Sequence, residues 1–92
     1  MIRVGVIGYG YWGPVVARNI HAAEGCRLVA ICDGNPASLA RARKTYPDLQ
    51  IMTDAMELIR SPYNDAVAVI THVWTHFELA KATLENGKHV FV

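Results

Sequence analysis

Residues 2–13 read IRVGVIGYGYWG, and the fold turns on them. Ile2–Ile7 is a short, mostly apolar run broken only by Arg3 and a glycine, the composition of a strand buried on both faces of a sheet. Gly8, Gly10 and Gly13 follow at once with the spacing GxGxxG. From Trp12 onward apolar residues recur at Val16, Ile20 and Ala23, one face of a helix over Trp12–Ala23. Pro14 falls in the first turn, where a missing N–H costs little, and Gly25 is a natural stop. A strand, a glycine turn and a helix in this order are the phosphate-binding turn of a dinucleotide fold. Each glycine then has its own task. Gly8 permits the tight turn, Gly10 lets a pyrophosphate approach the backbone, and Gly13 lets helix and strand pack closely. The helix start, near Tyr11 and Trp12, offers free N–H groups and the positive end of the dipole to an anion.

Working outward, Leu28–Cys32 is a second apolar run, and it ends at Asp33, twenty residues after Gly13. A carboxylate at that place is positioned to accept both hydroxyls of an adenosine ribose. The bland alternative is that the glycines only mark a turn and Asp33 only caps the next loop. The strand before, the helix after and the acid at the right distance favour the dinucleotide. Asp33 also repels a 2′-phosphate, and Gly34 and Asn35 follow it rather than an arginine. The nearest cations, Arg41, Arg43 and Lys44, lie within the second helix, so NAD is favoured over NADP.

The remaining chain repeats the alternation. Asn35-Pro36 opens a second helix that runs to about Tyr46 and is ended by Pro47. Gln50–Met52 is a short third strand. Asp54 and Glu57 have capping-box spacing before a brief third helix. Ala66–Ile70 is the fourth strand. Thr75 and Glu78 again have capping-box spacing, for a helix ending at Asn86-Gly87, and His89–Val92 is a fifth strand. Alternating strands and helices predict an α/β fold, a doubly wound parallel sheet of Rossmann type with strand order 3-2-1-4-5. Its switch point lies between strands one and four. Ligands bind at the carboxyl ends of strands there, which brings Thr71, His72, Val73, Trp74 and His76 toward the far end of a dinucleotide.

Composition narrows the class. Apolar residues make up 52% of the 92 residues, somewhat above the soluble average of roughly 45–50%, as a sheet covered on both faces requires. Nine basic and eight acidic residues are scattered, leaving a net charge of +1, so a nucleic-acid or anionic-membrane partner is not indicated. No apolar run approaches the ~20 residues of a membrane span, and no export signal precedes the first strand, so a cytoplasmic location is expected. Cys26 and Cys32 on one strand would stand about 20 Å apart, too far for a disulfide, and are read as reduced packing residues. His72 and His76 are four apart, a spacing known from zinc helices, but His72 precedes the helix that His76 opens and no third ligand is evident. No metal is therefore assigned. The Tyr9, Tyr11 and Trp12 cluster lacks the basic stripe of a nucleic-acid platform and is read as packing around the loop.

Four stretches resemble the Gfo/Idh/MocA oxidoreductases: VGVIGYGYWGP at 4–14, LVAICDGNP at 28–36, DAVAVIT at 65–71 and THFELAKATLENGKHVFV at 75–92. Together they cover almost the whole chain in the right order. The resemblance implies an NAD(P)-binding Rossmann domain followed by a second α/β domain that binds a sugar, polyol or related substrate for hydride transfer. It implies cofactor contacts from the backbone at Gly8, Gly10, Tyr11, Trp12 and Gly13, from Asp33 to the ribose, and from Thr71, His72 and His76 near the nicotinamide. His72 stands where the family usually has proline, and Trp74 where it has a small residue. Family members usually continue with a Glu-Lys-Pro motif whose lysine is catalytic. The expectation is thus a dinucleotide domain over residues 1–92, cut short before its last strand and the substrate domain. It should bind cofactor, carry no catalytic residue of its own, and self-associate through an exposed sheet edge. Two other functions compete: a module that senses NAD without chemistry, and an S-adenosylmethionine-binding domain, which the GKHVFV ending suits poorly.

Overall fold

A computed structural model of the chain describes residues 1–71 and 73–92, with Val73 and Trp74 described by their backbone alone. In chain order the elements are β1 (Ile2–Ile7), α1 (Gly13–Ala22), β2 (Cys26–Cys32), α2 (Pro36–Thr45), β3 (Gln50–Met52), α3 (Ala55–Arg60), β4 (Ala66–Val69), α4 (Val73–Glu85) and β5 (His89–Phe91). The strands form one parallel sheet in the order β3-β2-β1-β4-β5, so the predicted doubly wound α/β fold and its switch point between β1 and β4 are present.

The winding sorts the core into two layers. On one face Val6, Leu28, Ile31 and Ala68 pack with Ala17 of α1 and Ala42 of α2. On the other Ile7, Ala30, Cys32, Val67 and Val69 pack with Leu58 and Ile59 of α3 and with Leu79 and Ala82 of α4. Leu28 and Ile31 share a face although they are three residues apart. A bulge explains this: Val4 pairs with Leu28, but Gly5 pairs with Ala30, so Val29 is the extra residue on β2. β4 is buried along its whole length, as an inner strand of a sheet covered on both sides must be. α3 comes so close to β1 that a Cβ at Gly5 would lie 2.8 Å from Leu58 Cδ2.

Local chemistry fixes most helix starts. Asn35 caps α2, its side-chain oxygen accepting from the Ala37 N–H at 2.8 Å, with Pro36 as the first helical residue. Asp54 caps α3 by accepting from the Met56 N–H at 2.9 Å. α4 departs from expectation. It opens at Val73 rather than at Thr75, so Thr75 lies inside the first turn and is no cap. β2 also starts two residues earlier than its apolar run, at Cys26, because the amino end of β1 gives Cys26 and Arg27 strand partners. Both cysteines lie on β2 and are free thiols, and burial pushes the Cys32 thiol up to about 12, which suits an inert packing residue.

Candidate dinucleotide-binding site

The glycine loop leaves the carboxyl end of β1 where β1 and β4 part. Ile70 N–H still reaches the Ile7 carbonyl at 2.8 Å and Gly8 N–H the Cys32 carbonyl at 2.7 Å, so pairing runs to the brink of the loop on both sides. Gly8 then turns the chain with φ +104°. A Cβ there would lie 2.3 Å from the Ile70 carbonyl oxygen, so both the dihedral and the space demand glycine. At Gly13 a Cβ would lie 2.2 Å from the Gly8 carbonyl oxygen, and here close packing of helix on loop is the whole reason. Gly10 is different. A Cβ built on it meets nothing within 4 Å. Among the described residues nothing requires a glycine at that point, and the space in front of its backbone is open.

The start of α1 is equally unspent. Its N-cap is Trp12, whose side chain makes no capping hydrogen bond, whereas α2 and α3 are capped by Asn35 and Asp54. The first-turn N–H groups of α1 are thus left for another acceptor, in the place where a helix dipole favours an anion. Pyrophosphate oxygens fit this cradle.

Beside the loop lies an open cavity of about 550 Å³, lined by Gly10, Tyr11, Trp12, Ile70, Thr71, His76 and Val92 among others. Its wall is mostly apolar with a few polar groups, the usual make-up of a small-molecule site. Thr71 and His76 are tied together: His76 Nε2 is 2.6 Å from the Thr71 carbonyl, and Thr71 Oγ1 is 2.6 Å from Thr75 Oγ1. A carbonyl only accepts, so Nε2 carries the proton and donates, and Nδ1 is the nitrogen left to accept when the ring is neutral. The early opening of α4 makes this contact possible, because it puts His76 one turn into the helix and back over the strand end.

Asp33 lies on the other side of the loop. Its Oδ2 accepts the Tyr9 N–H at 2.7 Å and its Oδ1 accepts the Asn35 N–H at 2.8 Å. It is partly exposed at the end of β2, where an adenosine ribose would lie. The structure therefore gathers Gly10, Tyr11, Trp12, Thr71 and His76 around one cavity, sets Gly8 and Gly13 behind the loop, and stands Asp33 at its β2 side. His72 lies outside the described residues, as do the side chains of Val73 and Trp74. Among the described residues no group of three or more His, Cys, Asp and Glu could hold a metal.

The aromatic cluster divides. Tyr9 is buried in the core, but Tyr11 and Trp12 are 85% and 62% exposed, in edge-on contact with ring centroids 5.1 Å apart. They do not pack around the loop as the sequence reading has it, and Trp12 does not serve as the first apolar position of the α1 face. Two participants had no signal in the sequence. Val92 reaches the cavity only through the placement of β5, and the Tyr9 amide meets Asp33 only through the pairing of β1 with β2.

Strand order, glycine turn and terminal acid together define a dinucleotide-binding α/β domain. The sequence model of the oxidoreductase family with an NAD-binding Rossmann fold, Gfo/Idh/MocA, matches residues 2–92. The chain belongs to that family, whose Rossmann fold is described as NAD-binding. It is 36% identical over 90 residues to a myo-inositol 2-dehydrogenase of Thermotoga maritima, covering 98% of this chain and 27% of that protein. It is 34% identical over 91 residues to an uncharacterized oxidoreductase, YdgJ, of Escherichia coli, covering 99% of this chain and 26% of that one. Among solved structures it resembles the scyllo-inositol dehydrogenase of Lactobacillus casei with bound NAD(H) and scyllo-inositol. There the TM-score is 0.90 at 27% identity, over 98% of this chain and 27% of the other. The chain thus spans about a quarter of the length of the relatives it matches. No described helix is long and apolar enough to cross a membrane.

Proposed function

We propose that this chain is the cofactor-holding part of an oxidoreductase that moves a hydride between NAD and a hydroxyl carbon of a sugar, polyol or related substrate. Gly10 carries the reading. Its missing Cβ opens onto free space while Gly8 and Gly13 are each required by neighbouring backbone, so the position answers to something outside the chain. The backbone around Gly10 and the uncapped start of α1 would hold the pyrophosphate, Asp33 the adenosine ribose, and Thr71 and His76 the wall beside the nicotinamide. NAD, when bound, supplies the ring carbon that accepts or returns the hydride. The substrate class rests on the inositol dehydrogenases among the relatives.

By itself the chain holds cofactor and turns over no substrate. Among the described cavity-lining residues His76 carries the one imidazole; its Nε2–H is given to the Thr71 carbonyl, and no described residue is placed to hold a substrate hydroxyl against its Nδ1. A general base needs hydrogen-bond reach to the substrate hydroxyl.

The test is calorimetric titration with NADH. Wild type should bind, and Gly10→Val should lose binding by roughly a hundredfold or more, because the new side chain takes the place of the pyrophosphate. Its melting temperature should stay near that of wild type. Equal affinity in the two proteins would falsify the phosphate-loop assignment. Incubation of the chain with NAD and inositol should yield no NADH; steady production abolished by His76→Ala would overturn the non-catalytic reading.

A further inference from the structure

Two consecutive amides of the glycine loop are pinned to the last residue of β2 and to the residue that follows it. Gly8 N–H reaches the Cys32 carbonyl at 2.7 Å, and Tyr9 N–H reaches Asp33 Oδ2 at 2.7 Å. The first bond is ordinary strand pairing and is open to any residue at position 32. The second is not. Gly8, with φ +104°, swings the chain off the sheet, so the next amide needs an acceptor that β2 backbone does not supply. Tyr9 as a residue is only 4% exposed, so an unpaired amide there would be costly. Asp33 Oδ1 meanwhile takes the Asn35 N–H at 2.8 Å, and the Asp33 N–H reaches the Met52 carbonyl at 3.2 Å. One side chain thus joins the end of β1, the tip of β2 and the start of α2.

We propose that Asp33 is a positioning residue for the glycine loop: its carboxylate sets the loop in its phosphate-accepting form before any cofactor arrives. This rests on the dinucleotide reading of the site and adds a second task to the same side chain. Each carboxylate oxygen has two lone pairs, so holding Tyr9 and Asn35 leaves one on each for a ribose hydroxyl. A loop ordered in advance costs the ligand less to engage. The ribose and pyrophosphate parts of the site then share one group, and a change at position 33 made to alter ribose preference also loosens the loop. Alanine is the informative substitute, because it removes both acceptor oxygens and takes away the side-chain partner of the Tyr9 N–H and of the Asn35 N–H.

Two ligands separate the tasks: NADH, and an NADH analogue whose adenosine ribose lacks both hydroxyls. If Asp33 serves only the ribose, Asp33→Ala weakens NADH and leaves the analogue unchanged. The loop role requires that the analogue also weaken, by about fivefold, one hydrogen bond's worth. Equal affinity of the analogue for wild type and variant overturns the proposal. Amide exchange on the ligand-free chain gives a readout that needs no cofactor. In wild type the Tyr9 N–H should exchange at least about ten times more slowly than that of Tyr11. In Asp33→Ala it should speed up by about as much, while Val6 and Ile31 keep their protection, which shows that the core has not unfolded. Tyr9 exchanging as fast as Tyr11 in the wild-type chain overturns the proposal without any variant. If wild type binds neither ligand, the dinucleotide reading fails, and the exchange measurement still decides the role of Asp33 in the loop.

Discussion

At the amino end of the sheet Arg3 lies along Asp65, with Nε to Oδ2 at 3.1 Å, Nη2 to Oδ1 at 2.9 Å and the Arg3 backbone N–H to Oδ2 at 2.9 Å. Beside them Lys88 Nζ donates to the Ser61 carbonyl and, at 2.7 Å, to Asn64 Oδ1, while Asn64 Nδ2 donates to the Leu58 carbonyl at 2.9 Å. The carboxyl end is built the other way. There α1 starts without a side-chain cap, Gly10 fronts open space, and two large aromatic rings stand exposed. Polar capacity at the amino end is spent on the protein itself, which ties strands to helices. At the carboxyl end part of it is withheld. In a parallel sheet the strand ends that lead into helix N-termini are those that can hold an anion, so unspent capacity at that end marks a site and spent capacity at the other marks stability.

The sharpest way to break this contrast is inside the glycine loop. Gly13→Ala should cost about 3 kcal/mol or more, because its Cβ would press on a backbone oxygen that has no room to yield. Gly8→Ala should cost at least as much, since it adds an unfavourable positive φ to a similar clash. Gly10→Ala should stay within about 0.5 kcal/mol of wild type. Urea unfolding of the three variants decides the matter: similar losses at all three positions would mean that Gly10 is structural and its open face carries no message.

A smaller effect is expected at the amino end. Lys88→Met removes the donor to both Asn64 Oδ1 and the Ser61 carbonyl, and Asn64 is buried. The loss should be about 1–3 kcal/mol in chemical denaturation, with NADH affinity unchanged. Burial depresses the Lys88 pKa, although Asp65 pulls it upward, so the ammonium is already under desolvation stress and the loss should fall toward the lower part of that range. A fall in NADH affinity without loss of stability would erase the division of labour between the two ends.

The smallest effect concerns acid. Hydrogen bonds from the Arg3 guanidinium, then from its backbone N–H, hold the Asp65 carboxyl well below the usual carboxylate range. A carboxylate with a depressed folded pKa contributes stability that is complete above its unfolded value, near pH 4, and is lost as pH falls through the folded value. Both side chains are about two-fifths exposed, so solvent screens the pair and its contribution is modest. Between pH 5 and pH 2 the urea midpoint of Asp65→Asn should therefore fall less than that of wild type. Parallel acid limbs in the two proteins would show that the ion pair does not set the acid response.

Much of this molecule was decided by residues close together in the chain. The strands read as apolar runs, Asn35-Pro36 and Asp54 announced two helix starts, and GxGxxG followed by an acid twenty residues on announced the cofactor half of the site. These signals are local because caps, turns and periodicity depend on neighbours within a few residues. The tertiary structure decided what depends on register and on the approach of distant segments. The bulge at Val29 put Leu28 and Ile31 on one face, where simple alternation would have split them. The opening of α4 at Val73, two residues before the capping-box signal at Thr75, swung His76 onto the Thr71 carbonyl. The exposure of Tyr11 and Trp12 followed from where the loop leaves the sheet, and aromatic composition alone could not tell them from buried Tyr9. The Tyr9–Asp33 bond joins residues 24 apart. No pattern within a window of sequence encodes it, because it exists only when β1 and β2 pair in the register that sets the loop against that carboxylate.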